Sequence, residues 1–163
     1  METLLKYKKP ILIVLSVLLL LLVLSECDIF DESNYENNAE LVAHSFVEAI
    51  LDADAKKCAD LMCDDLIEMS NYETKKLFIN ALEKQLESAK DEYIDTYGKR
   101  WKYKVSVVDS FEYEPFYDCD EDLVKVVLKV EHKGSGLFNE KEGEEEIELI
   151  MVERNGKWLV YDL

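Results

Sequence analysis

The densest run of potential metal ligands is the stretch DCDED at 118–122. Asp118, Asp120 and Asp122 have the spacing of the first, third and fifth ligands of an EF-hand loop. Leu123 stands where that loop requires glycine, and Lys129 stands where it requires a bidentate glutamate. We therefore predict a solvated turn between two strands here, and we expect the protein to hold no metal and no other cofactor.

The histidines and cysteines give no zinc pattern either, because His44 and His132 lie far from each other and from any cysteine pair. His44 is predicted on the solvent side of a helix. Cys58 and Cys63 are five residues apart, so on one helix they would be separated by more than about 7 Å along the axis, beyond disulfide reach. We predict both as buried small hydrophobic residues, while a bridge involving Cys119 stays open.

Candidate acid–base residues are abundant but unspecific. Asp109 and Asp162 fall in predicted strands and His132 falls near a strand end, yet 36 of the 163 residues are acidic, so a carboxylate on a strand is expected without any catalytic role. The chain has no glycine-rich phosphate loop, G-x-S-x-G or H-E-x-x-H motif. We therefore expect the protein not to be an enzyme.

Aromatic residues offer a binding site of another kind. Trp101, Tyr103 and Phe111 lie along the first long predicted strand, where they would line a pocket for a hydrophobic or planar ligand. Ordinary packing of a sheet face is the competing interpretation of the same residues.

Three helices are predicted to precede the sheet. Val42, Phe46 and Ile50 recur at helical spacing within 39–54, and helical periodicity continues through 55–69. Ser70 and Glu73 have the spacing of a capping box, which predicts the start of a long third helix that ends at Gly98.

After Gly98 the hydrophobic period changes from 3.6 to 2, which predicts four strands. The segments are WKYKVSVV from 101, LVKVVLKVEH from 123, and EEEIELIMVER followed by KWLVYDL. Asn155-Gly156 predicts a tight hairpin between the last two strands, since both positions of a type I′ turn take positive φ. The pattern predicts an α+β domain with three helices packed on a curved, four-stranded antiparallel sheet.

The N-terminal segment predicts the location. Lys6, Lys8 and Lys9 precede an apolar run over 11–24, a length between that of a signal peptide and that of a spanning helix. We predict a signal anchor or signal peptide over 1–26, with residues 11–25 in the membrane, an acidic linker over 27–37, and a folded domain over 38–163. Because positive charge stays cytoplasmic, the N-terminus is expected inside and the domain outside the cell membrane.

Cys27 closes the apolar segment in the sequence LSEC, which resembles a bacterial lipobox and makes Cys27 a candidate site of lipid attachment. Glu26 departs from that pattern, since a small residue normally precedes the cysteine. An uncleaved anchor, a lipoprotein and ordinary cleavage all remain open, in that order of preference, and each exports the domain.

The net charge of −17 limits the classes of partner that the protein is expected to bind. We expect no nucleic-acid partner, because binding nucleic acid requires lysines and arginines set against phosphates. Docking of the domain flat on anionic lipid is disfavoured for the same reason.

The order of a helix, a short helix, a long helix and long strands, closing with VERNGKWLVYDL, resembles the nuclear transport factor 2-like (cystatin-like) superfamily. It is similar in particular to small membrane-tethered or lipoprotein members from Gram-positive bacteria. The resemblance covers 38–163 and implies a cone-shaped fold whose open end is a pocket. We expect an accessory domain that binds a protein partner at the cell surface or a small ligand, with a homodimer as a further candidate. A small isomerase or dehydratase with its site in the cone is the alternative.

Overall fold

The computed structural model describes residues 38–114, 121–135 and 140–162. These residues form four α-helices followed by a four-stranded antiparallel sheet, which confirms the predicted α+β class. The helices are α1 (Ala39–Asp52), α2 (Ala55–Leu61), α3 (Asp64–Met69) and α4 (Lys75–Tyr97). The strands are β1 (Lys102–Glu112), β2 (Leu123–Ser135), β3 (Glu140–Arg154) and β4 (Lys157–Asp162).

Helix α1 is the central helix of the core. The Asn38 side chain caps it by accepting from two backbone N–H groups, and it ends at Ala53 in the left-handed region at φ 63°. It contacts all four strands as well as α2 and α4. Residues outside the predicted stripe, such as Val47 and Leu51, are therefore buried as fully as Val42 within it.

The predicted second helix over 55–69 is interrupted, which gives four helices instead of three. Met62 pairs in parallel with Val160 of β4, and the Cys63 N–H donates to the Val160 carbonyl at 2.9 Å. Bonding to the sheet has replaced helical bonding at this point because the outer edge of β4 otherwise leaves its polar backbone unpaired. The local periodicity carries no information about that edge.

The start of the long helix was predicted four residues too early. Thr74, not Ser70, is the N-cap of α4, since its hydroxyl accepts from the Leu77 N–H at 3.3 Å. Ser70 instead ends α3, where its hydroxyl donates to the Ile67 carbonyl. The predicted end at Gly98 is confirmed, with φ 95°.

The sheet order is β1-β2-β3-β4, so each strand pairs with its neighbour in sequence. The predicted hairpin is confirmed, since Asn155 and Gly156 take φ 56° and 77° between β3 and β4. The face toward the helices carries the main core, including Val126, Leu128 and Leu149, all with no exposed surface.

The opposite face of the sheet is charged over most of its length, but at one end Leu123 and Val152 are buried on it in a second apolar cluster with Cys63. Lys125 pairs with Glu148, Lys129 with Glu144 and Glu131, and Lys133 with Glu142. Antiparallel sheets with one wet face alternate in this way. The face toward the helices is therefore apolar, and the other face is charged except at the end that Leu123 and Val152 bury.

A bulge interrupts the pairing of β1 with β2 between Val107 and Asp109. Before it, Val105 lies opposite Val130, and after it Ser110 lies opposite Val126. The extra residue reverses the alternation, so the odd-numbered residues that face the helices before the bulge face away from them after it.

Among the described residues, no helix combines the length and the apolar character needed to cross a bilayer. The predicted membrane segment, the linker and Cys27 lie outside the described residues.

Candidate functional site

A cluster of rings forms where α4 meets the ends of β1, β2 and β3. His132 of β2 lies opposite Tyr103 on one neighbouring strand and opposite Gly143 on the other. Tyr93 and Tyr97 reach this cluster from the last turns of α4, and Trp101 reaches it from just before β1. We call His132, Glu145, Tyr93, Tyr97 and Trp101 the ring cluster.

Hydrogen bonds fix the tautomer of His132, whose side chain is 2% exposed. The Trp101 indole N–H donates to His132 Nδ1 at 3.1 Å, and an indole has no acceptor atom, so Nδ1 carries no hydrogen. The proton of the neutral ring therefore sits on Nε2, which donates to Glu145 Oε1 at 2.9 Å. Both ring nitrogens are engaged.

Stacking holds the same rings face to face. The centroid of Tyr93 lies 4.9 Å from that of Trp101 and 4.8 Å from that of His132, with interplanar angles of 6° and 17°. Tyr97 also stacks on His132, with the two ring centroids 5.2 Å apart. Aromatic pairs of this kind contribute about 0.5–1.5 kcal/mol each beyond the burial of their surface.

Two glycines make room for Tyr97. A Cβ on Gly134 would lie 2.0 Å from the Tyr97 carbonyl oxygen, and a Cβ on Gly143 would lie 2.1 Å from the Tyr97 hydroxyl. At Gly134 a Cβ would clash with backbone, and at Gly143 it would force the Tyr97 side chain to move. The two glycines thus allow the end of α4 to lie directly against β2 and β3.

Two tyrosine hydroxyls of this region are held in their neutral form. Burial raises the pKa of Tyr93, and its hydrogen bond to Glu145 Oε1 at 2.8 Å raises it further. Burial also raises the pKa of Tyr103, whose hydroxyl donates to Asp52 Oδ1 at 2.7 Å. Both hydroxyls act as hydrogen-bond donors to carboxylates that come from other elements.

Of the three aromatic residues predicted to line a pocket, the structure brings two together. Trp101 and Tyr103 pack against each other and against the core, with ring centroids 5.5 Å apart. Phe111 follows the bulge, lies opposite Lys125 on the charged face, and is 46% exposed. The inserted residue is the physical reason for this separation, because alternation alone would put all three side chains on one face.

The histidine predictions differ from the structure. His44 is half-buried instead of fully solvated, and its Nε2 lies 3.3 Å from the Val105 carbonyl at the β1 edge. His132, an acid–base candidate predicted near a strand end, is the buried centre of the ring cluster. Asp109 and Asp162, the other acid–base candidates, are both exposed.

The cysteine prediction is confirmed for Cys58 and Cys63, which are buried and not bridged to each other. Burial raises the pKa of Cys58 to about 12, and the Asp54 carboxylate adds to the shift. Cys119 lies outside the described residues.

The acidic stretch at 118–122 is described only from Glu121 onward. The Glu121 carboxylate accepts from Arg154 Nε at 2.7 Å and from Nη2 at 2.9 Å, while Nη2 also reaches Asp65 at 2.7 Å. These bonds lower the pKa of both carboxyl groups. Glu121 is thus committed to an ion pair, and in the described part of the chain no three potential metal ligands lie together.

An open groove of about 430 Å³ lies at the same end of the sheet as the ring cluster. Its lining contains four cationic side chains: Arg100, Lys102, Lys133 and Lys141. Glu140, Glu142, Gly134 and Ser135 complete it. We call this set the strand-end groove.

Sequence reasoning missed both the ring cluster and the strand-end groove. One signal was present for His132, since it shares the parity of Val126, Leu128 and Val130 along β2 and so belongs to the buried face. Glu145, Tyr93 and the groove residues come from separate elements, and no local pattern joins them.

Comparison with models of known protein families finds no match for this chain. A search of curated proteins also finds no significant match. The resemblance to nuclear transport factor 2-like proteins therefore rests on the order of elements and on the terminal hairpin.

Proposed function

We propose that the protein is a membrane-tethered binding domain that acts on the outer side of the cell membrane. The lysines and apolar run of the N-terminal segment support the tether and its orientation. The helix order and the four-stranded meander support a cone-shaped, nuclear transport factor 2-like domain. The ligand is a protein partner at the cell surface or a small molecule.

The main support for a binding role over a catalytic one is that both ring nitrogens of His132 are already hydrogen-bonded within the protein. A general base needs a free lone pair within reach of the substrate proton. In this conformation Nδ1 accepts from Trp101 and Nε2–H donates to Glu145. The ring cluster thus acts as a rigid wall, and the strand-end groove beside it is open to a ligand.

The alternative is a small enzyme of the isomerase or dehydratase type. The buried histidine–carboxylate pair His132–Glu145 favours it, since such pairs transfer protons in many active sites. That role requires the Trp101 bond to open during turnover. A substrate whose conversion depends on His132 but not on the groove lysines would support the enzyme over the binding domain.

Two measurements test the binding proposal. Protease added to intact cells should degrade the domain, and protection until the cells are permeabilised would refute the proposed location. A photo-cross-linking residue placed at Ser135, in the groove, should yield an adduct whose mass identifies the ligand. The same residue at the exposed Lys84 of α4 serves as the control, and equal adducts at both positions would contradict a ligand site in the groove.

A further inference from the structure

The strand-end groove is lined by more cationic than acidic side chains in a strongly acidic protein. Four cationic and two acidic side chains line it, a local excess of two positive charges, although the chain as a whole carries −17. A surface shaped only by solubility would share the acidic excess of the rest of the chain. The local reversal of sign therefore points to an anionic ligand.

Arg100 and Lys102 are the cations most available to that ligand. Both are exposed, and within the described part of the chain neither forms an ion pair. Lys133, in contrast, lies 3.6 Å from Glu142, and Lys141 Nζ donates to the Thr96 carbonyl. An arginine next to a lysine is well suited to a phosphate group, since the guanidinium binds it through two parallel bonds and the ammonium adds a point charge.

The wall of the groove formed by β2 is held in place before any ligand arrives. Gly134 lines the groove and lies against the Tyr97 backbone, while Lys133 follows His132 directly in β2. The ring cluster thus fixes the positions of α4 and β2 relative to each other. A preformed site loses less conformational entropy on binding than a flexible one.

The two carboxylates of the groove indicate which other chemical groups the ligand has. Glu140 and Glu142 would repel a densely charged polyanion, but they accept hydrogen bonds from hydroxyl groups. Ser135 adds a further hydroxyl, and a volume of about 430 Å³ holds a small molecule. We infer that the strand-end groove binds a phosphorylated polyol, with the phosphate on Arg100 and Lys102 and the hydroxyls on the two glutamates.

This inference deepens the proposed function and rests on it. The same chemistry comes from two sources, a free polyol phosphate or the headgroup of a glycerophospholipid. The probes are therefore glycerol phosphate and glycerophosphoglycerol, the deacylated headgroup, titrated calorimetrically into the full-length chain in uncharged detergent micelles. The probe that binds more tightly identifies the source of the natural ligand.

We expect binding that weakens as salt is added and falls about tenfold or more in the double variant R100A/K102A. The double variant K56A/K57A removes two exposed lysines of α2, outside the groove, and should bind like the unmodified chain. Circular dichroism confirms that both variants are folded. The conservative variant R100K should lose less than R100A.

Three results would overturn the inference. Neither probe binds; both double variants lose affinity equally; or inorganic phosphate binds as tightly as glycerol phosphate, which would mean that the hydroxyls are not recognised. If the probes fail while cross-linking at Ser135 still captures a ligand, the binding domain stands and only the polyol phosphate is wrong. If that adduct is also absent, the proposed function fails with it.

Discussion

Replacing His132 with phenylalanine tests the ring cluster most directly. The substitution keeps an aromatic ring in contact with Tyr93 and Tyr97 but removes the bonds from Trp101 and to Glu145. The bond with the indole joins neutral groups and contributes about 1 kcal/mol, and the bond to the carboxylate contributes about 1.5–3 kcal/mol. The Glu145 side chain is 37% exposed, so solvent screening favours the lower end of that range. We expect the free energy of unfolding to fall by about 2–3 kcal/mol.

A double-mutant cycle isolates the bond between the two rings. Trp101→Phe, His132→Phe and the double variant are compared by urea unfolding of the full-length chain, followed by circular dichroism. A coupling energy of about 1 kcal/mol is expected for the indole–imidazole bond. His44→Phe is the matched control, and it should destabilise less because the contacts it removes, with the Val105 carbonyl at 3.3 Å and the Glu48 carboxylate at 3.6 Å, are only partly buried.

Amide variants separate the two nitrogens. Asparagine at 132 places an acceptor close to the position of Nδ1, and glutamine places a donor close to that of Nε2. His132→Asn should therefore retain coupling to Trp101, while His132→Gln should retain coupling to Glu145. A stable His132→Phe variant with no coupling to Trp101 would refute the tautomer and the structural role assigned to this histidine.

Three further outcomes are expected. Gly143→Ala should destabilise the domain by about 1–3 kcal/mol, because the new methyl group clashes with the Tyr97 hydroxyl. In the double variant with Tyr97→Phe, part of that loss should be relieved. If thermal unfolding shows no relief, the strain lies elsewhere. Stability should decrease as pH rises above about 10, because the unfolded chain then releases the Tyr93 and Tyr103 protons that the folded chain retains. The measurement is a spectrophotometric tyrosinate titration of the folded protein. Ionisation of all tyrosines together near pH 10 would contradict the raised pKa values. Cys58 and Cys63 should resist alkylation until the protein is unfolded, as followed by mass spectrometry of their peptides, and rapid labelling of the folded protein would show that they are accessible.

Local chemistry explains why some elements were predictable. The Asn155-Gly156 hairpin and the end of α4 at Gly98 depend on residues that tolerate positive φ, and that preference is a property of the residues themselves. Strand alternation likewise predicted the buried positions Val126, Leu128 and Val130. In each case the signal spans only a few neighbouring residues.

Local sequence patterns gave wrong predictions where contacts with distant parts of the backbone determine the local structure. The helix over 55–69 is broken because Met62 and Cys63 bond to β4, nearly a hundred residues further along the chain. Phe111 changes face because of one inserted residue at the bulge in β1, which no hydrophobic pattern marks. Ser70 matched a capping box, yet Thr74 provides the cap.

The amino-acid sequence by itself determined the α+β class, the terminal hairpin, the burial of two cysteines and the strongly acidic net charge. Tertiary structure alone decided which side chains meet, because His132, Glu145, Tyr93 and Trp101 come from four separate segments. It also decided the sign of the charge in the strand-end groove, since an excess of lysine and arginine there arises only when the ends of β1, β2 and β3 come together. Hydrogen bonds and ion pairs depend on distances of a few ångströms, and folding sets those distances between residues that the linear order keeps apart.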